Sequence, residues 1–366
     1  MKLRGVFTIA AFAACLGAAA VAFGQTQVPA ASPEPANVQR SVQSIQDPRE
    51  AAVLAKCKVP PQGPLRSGPP SGQPGQGQPI RETTVAEIPG VIAAGQQWKF
   101  VWQQVGNNGD GIMGTADGGL MLAQNDSSAV VKLDKDGKAS VAYTGTNTGG
   151  ALSTSTKGVL FIVERGLNPS IVELAPDHKT LADSYQGDPL DCLGIVMNDL
   201  TADSKGGVYF SMGALYYANA SGQVTKYGAD LHTNGIILSP DEKTLYVTNG
   251  PVLAALDVQP DGSLTNERTF AKLEGGGSGD GSTIDAAGRI YVTTGPGVQV
   301  IGPDGKYLGL IPTPRPVISV AFSGPDKKSL YILARGARMA DGTEVANAAQ
   351  VYSIQMIAQG FKKRLK

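Results

Sequence analysis

Four short-chain oxygen donors recur at one place in a repeated phrase. Asp110, Asn198, Asn234 and Asp280 each lie ten or eleven residues ahead of an apolar, β-prone run; these runs open at Leu120, Val208, Leu245 and Ile290. Two more positions share the offset, Gly149 ahead of Val159 and Ser319 ahead of Leu330. Carboxylate and amide oxygens are hard donors, the type that holds a divalent cation. Taken singly, Asn-Gly and Gly-Asp-Gly are also ordinary turn chemistry. The shared offset is what gathers them into one candidate site.

The six runs follow one another at intervals of 37 to 49 residues. Each sits behind a turn, as Asp285-Ala286-Ala287-Gly288 precedes Arg289-Ile290-Tyr291-Val292. A repeat of this length made only of strands and turns reads as a propeller blade. The sequence therefore predicts an all-β fold, a six-bladed β-propeller over residues 89–366. In such a ring, equivalent positions stand at equal radius. A position just ahead of the innermost strand faces the central channel, so residues scattered from 110 to 280 are expected to meet there.

A ring must protect its seam. Gln97-Trp98-Lys99-Phe100-Val101-Trp102 alternates like a strand and is expected to complete the last blade beside Val351-Tyr352-Ser353-Ile354. Trp98 and Trp102 are then packing residues. Asp-Gly turns such as Asp134-Lys135-Asp136-Gly137 close hairpins; this one lacks the downstream glutamate of a calcium loop.

Composition narrows the function classes. Lys plus Arg and Asp plus Glu balance at 31 each, so no basic footprint points to nucleic acid. The two histidines, His178 and His232, sit in turn or loop contexts and offer no Ser-His-Asp arrangement. Residues 1–24 read as a secretory signal: Lys2 and Arg4, an apolar run from Gly5 to Val21, then Ala22-Phe23-Gly24 before Gln25. The expected location is periplasmic or secreted, with no membrane association after cleavage. Residues 25–88 hold a short helix that starts at Asp47-Pro48-Arg49-Glu50, with Asp47 as N-cap and Pro48 at the first position, and a linker in which 12 of residues 58–79 are Pro or Gly. Cys57 and Cys192 follow the signal. An oxidising compartment permits a bridge between them, and two unpaired thiols are the alternative.

Several phrases carry a family resemblance. Thr233-Asn234-Gly235 through Ser239-Pro240-Asp241 to Leu245-Tyr246-Val247 resembles the Asn-Gly…Ser-Pro-Asp…Leu-Tyr-Val signature of the gluconolactonase/regucalcin/luciferin-regenerating-enzyme family. Asn198-Asp199-Leu200 through Tyr209-Phe210 is similar to its Asn-Asp…Tyr-Phe phrase. The stretch around Asp280, the phrase Val317–Asp326 and the basic tail from Gly360 to Lys366 resemble further parts of it, in order. The resemblance implies a six-bladed propeller with one divalent cation in the channel and hydrolysis of a lactone.

Carried over position by position, Asn234 and Asp280 match family ligands, and Asn198 matches an Asn at the metal or substrate. Where the family has a Glu in the first blade this chain has Asp110, one methylene shorter. The cation expected is Ca²⁺, with Zn²⁺, Mg²⁺ or Mn²⁺ as alternatives. Asp280 is the candidate general base. Glu164 and Arg165 occupy a place where members hold a substrate-facing pair, and Tyr185 is a candidate pocket residue. Asp199 and Asp285 read as backbone caps. A small-molecule lactone is the expected partner. The alternative is a propeller that binds a small ligand without turnover around a structural metal; the oligomeric state is left open.

Overall fold

Short β-prone runs divided by tight turns pair most readily with their sequence neighbours. In the computed structural model, which describes residues 49–61, 78–228 and 231–366, they do so in six four-stranded antiparallel sheets. The first strand of each sheet is the inner one: Gly109–Gly114, Gly149–Thr154, Leu200–Ala202, Thr233–Leu238, Ser282–Ile284 and Val317–Ser323. These strands touch one another around a closed ring, the last against the first. The six runs read from the sequence each open within one residue of the second strand of a blade.

The seam closes as the sequence predicts. Lys99–Val105 pairs antiparallel with Glu344–Gln355, placing Phe100 opposite Tyr352 and Trp102 opposite Val351. Trp102 is buried among Ile112, Leu122 and Leu333, between the last blade and the first. Trp98 packs against the apolar cluster of blades five and six, and its Nε1 donates to Pro312 O at 2.7 Å. Val85 and Ile88, placed ahead of the propeller by the sequence, are buried in that same cluster. The packed chain therefore begins a few residues before position 89.

Inner strands of neighbouring blades approach closely at the channel mouth, and this dictates glycine. A Cβ on Gly111 would lie 2.6 Å from Ala151 Cα, and one on Gly235 would lie 2.0 Å from Asp280 O. In blades one, four and five the residue after the ring donor is Gly (Gly111, Gly235 and Gly281) because a neighbouring backbone occupies the space. Beyond the ring, Asp285 caps its turn as expected, accepting from the backbone N–H groups of Ala287 and Arg289 at 2.9 Å each.

Outside the propeller, the described helix is Glu50–Leu54, preceded by Arg49. The signal segment 1–24, Asp47, Pro48 and residues 62–77 of the Pro/Gly-rich run lie outside the described residues. Cys57 and Cys192 form a disulfide, which ties the helix to the turn Leu190–Leu193. At the other end, residues 360–366 fold back into the channel. Leu365 N donates to Thr154 Oγ1 of blade two, and Arg364 Nη2 donates to Leu238 O of blade four.

Candidate active site

The ring positions bring their side chains to one channel. Asp110, Asn198, Asn234, Asp280 and Ser319 line a single cavity, with Lys366 as part of its wall. Blade two contributes no ring side chain, because its position is Gly149. A guanidinium enters beside it instead. Arg165, one residue past the second strand Leu160–Glu164, lies across Gly150, where a Cβ would sit 2.2 Å from its Nε. Its Nη1 pairs with Asp110 Oδ2 of blade one. Its Nη2 donates to Asn198 O at 2.5 Å and Oδ1 at 3.2 Å in blade three.

From there the hydrogen bonds run on around the ring. Asn198 Nδ2 donates to Asn234 Oδ1 at 2.7 Å. The Asn234 side chain in turn bonds the Asp280 carboxylate. Asp110, Arg165, Asn198, Asn234 and Asp280 thus form one continuous arc. Ser319 stands outside it, accepting from Ile112 N at 3.1 Å.

Desolvation sets the electrostatics. It raises the Asp280 carboxyl to about 6, against the opposing pull of the Arg335 and Arg165 charges and the Asn234 bond; Asp199 adds to the rise. Burial lowers Arg165 to about 10, so it stays charged at neutral pH. Beneath the arc, Lys366 Nζ donates to Asp199 Oδ2 at 2.8 Å. Asp199 also accepts from Ile236 N at 3.0 Å, the backbone-capping role expected of it.

Other candidates fall elsewhere. Glu164 is buried behind the ring, with its carboxyl raised to about 7 by desolvation, and does not pair with its neighbour Arg165. Tyr185 lies in the hairpin of Ser184–Tyr185 and Asp188–Pro189, edge-on against Tyr216 with ring centroids 5.6 Å apart. The sequence reading missed three cations: Arg165 as a bridge, Lys366 in the wall, and exposed Arg335, whose charge reaches both Asp280 and Arg165. Only the bare Gly149-Gly150 hinted at an occupant.

The oxygens suit a divalent cation in part. Asp110 is committed to Arg165. Asp280 has no ion pair among the described residues, the Asn234 amide adjoins it and Asn198 lines the same cavity, so Asn198, Asn234 and Asp280 fit a cation of the oxygen-seeking class. No group of three or more His, Cys, Asp or Glu is placed to hold a metal among the described residues, so the amides are essential to any such site.

Known proteins share this architecture. A family model described as SMP-30/Gluconolactonase/LRE-like region matches residues 140–335, more than half of the chain. The chain belongs to this family. Within the SMP-30/gluconolactonase/LRE-like family it is similar to the pentonolactonase XacC of Haloferax volcanii, 31% identical over 154 residues, which are 38% of this chain and 53% of that one. The chain spans about half the length of the curated relatives it matches. Its fold is that of a gluconolactonase from Xanthomonas campestris, with TM-score 0.61 and 22% identity over 78% of this chain and 98% of that one. The fold is also that of a calcium-binding regucalcin from Agrobacterium tumefaciens, with TM-score 0.55 and 21% identity over 69% of this chain and 91% of that one.

Proposed function

We propose that this chain is a lactonase, a carboxylic ester hydrolase that opens a cyclic ester such as a sugar lactone in the propeller channel. The observation that carries the reading is Asp280. Its carboxylate stands on the channel beside the Asn234 amide, within the field of the Arg165 charge, and desolvation makes it more basic than an ordinary aspartate. Such a group is ionised at neutral pH yet basic enough to take a proton from an attacking water. Lactonases and gluconolactonases among the relatives support the same chemistry.

Asp280 accepts the proton as the water oxygen bonds to the lactone carbonyl carbon. The ring C–O bond then breaks, the departing alkoxide takes the proton that Asp280 received from the water, and a hydroxy acid leaves with Asp280 ionised again. Asn198 and Arg165 orient the substrate's polar groups, and the Arg165 charge favours the negative charge that develops on the carbonyl oxygen. A divalent cation, with Ca²⁺ first and Zn²⁺, Mg²⁺ or Mn²⁺ as alternatives, would be held by Asn198, Asn234 and Asp280 and would supply Lewis-acid polarisation of the carbonyl. The buried Glu164 and the hairpin residue Tyr185 stand further out, and this reading gives them no direct role.

Export to the periplasm or medium belongs to the same proposal. The basic start with its apolar run supports it, as does the Cys57–Cys192 bridge, which persists in oxidising compartments. Sequencing the secreted chain tests it; the expected first residue is Gln25.

Hydrolysis of gluconolactone and pentonolactones by wild type and Asp280→Asn is the deciding assay. The variant should keep the wild-type melting temperature within a few degrees and lose about 10²–10⁴-fold in kcat. Wild type that opens no lactone faster than buffer ends the reading.

A further inference from the structure

The Asp110–Arg165 pair changes what the ring can offer a cation. Blade two leaves its ring position bare at Gly149, and Gly150 lets the Arg165 guanidinium lie where any larger residue would collide with it. The guanidinium reaches Asp110 on one side and both oxygens of Asn198 on the other. The guanidinium is buried and Asp110 is half-buried, so salt screens the pair less than it would a surface pair. Below, Lys366 pairs with Asp199. Of the three acidic side chains lining the cavity, only Asp280 is without an ion pair among the described residues.

We infer that Arg165 is a built-in competitor for the divalent cation: its guanidinium holds the Asp110 carboxylate that a metal ion would otherwise draw on. Arg165 takes away one carboxylate ligand and places a positive charge beside the remaining three donors. Cation affinity rises with the number of charged oxygen ligands, so the resident guanidinium keeps the site weak. This proposal rests on the reading of the channel as a cation-assisted lactone site, but it concerns affinity, not turnover.

Two titrations test it, each done without substrate on the purified full chain, by calorimetry with Ca²⁺ and by Tb³⁺ luminescence. Arg165→Met should bind at least about tenfold more tightly than wild type, and adding Asp110→Asn to it should abolish the gain. In the wild-type background, Asp110→Asn should leave Ca²⁺ affinity within about threefold, because Asp110 is not a ligand there; a true ligand would lose about tenfold or more. The second titration stands even if Arg165→Met fails to fold. The inference is overturned if Arg165→Met binds no more tightly than wild type, if neither binds, or if Asp110→Asn alone weakens wild type tenfold. Lactone hydrolysis measured separately on the same preparations shows whether the parent reading has failed as well.

Discussion

Lys366 Nζ donates to Asp199 Oδ2 at 2.8 Å, joining positions 167 residues apart inside the channel. The bond is buried, and both groups have further partners. Lys366 also donates to Ile236 O, while Asp199 accepts from the backbone N–H of Leu200 at 2.8 Å and of Ile236 at 3.0 Å. Removing the carboxylate therefore takes the acceptor from a buried ammonium and two buried amides together. Asp199→Ala should cost about 3–5 kcal/mol, the range for breaking a buried pair. Lys366→Met leaves Asp199 with its two backbone donors and should cost distinctly less. Thermal melting of both variants checks the order; equal losses would show that the backbone bonds to Asp199 contribute little.

Glu164 gives a pH signature. Desolvation lifts its carboxyl from 4.5 to about 7, and a bond from Ser170 opposes the rise only weakly. The folded chain thus holds this proton more tightly than the unfolded chain. Its stabilising contribution is complete below about pH 4.5 and disappears as pH climbs through about 7. Glu164→Gln should then melt above wild type at pH 8, by up to about 3 kcal/mol of stability, and match it near pH 4.5. A difference in melting temperature that stays constant across this range would mean that the buried carboxyl is not the cause.

How far the site was legible in the sequence follows from which contacts are local. Gly111, Gly235 and Gly281 follow their ring donors because an inner strand of the next blade lies against each Cα. Asn198 is followed by Asp199 instead, but all four donors stand at the same distance ahead of their blade's second strand, so a fixed offset finds Asp110, Asn198, Asn234 and Asp280. Arg165 obeys no such offset. It enters from the far end of a second strand, and its partner Asp110 lies 55 residues earlier in another blade. Lys366 reaches the ring only after the chain has gone around all six blades and turned back. Nothing periodic announces either contact, so the sequence showed the donors and not the cations that hold them.

The same close approach makes two glycines unequal. A Cβ at Gly235 would lie 2.0 Å from Asp280 O, a backbone atom that moves only if blade five moves. Gly295 has open space around the same point. Gly235→Ala should cost about 1–3 kcal/mol through overpacking, and should also disturb catalysis by shifting Asp280. Gly295→Ala should stay within about 0.5 kcal/mol of wild type. Melting curves with lactone kinetics on both variants decide it; a neutral Gly235→Ala would mean that the inner strands are less tightly set than their geometry requires.

The Cys57–Cys192 bridge spans 135 residues, and it ties a five-residue helix to the turn after blade two. A helix that short has almost no stability of its own. Among its residues only Val53 is buried, so the covalent link is its main hold on the propeller. Loop-closure entropy for a span of this size amounts to about 5 kcal/mol in the chain-entropy model, but only if helix and propeller unfold together. The weak packing of Glu50–Leu54 argues that they do not. Cys57→Ser should therefore lower the propeller's melting temperature by no more than a few degrees while releasing the helix, seen as fast amide exchange across Glu50–Leu54. In the unreduced wild type those amides should exchange more slowly, and neither cysteine should react with an alkylating agent before reduction. A drop of ten degrees or more in Cys57→Ser would instead make the N-terminal segment part of the propeller's cooperative unit.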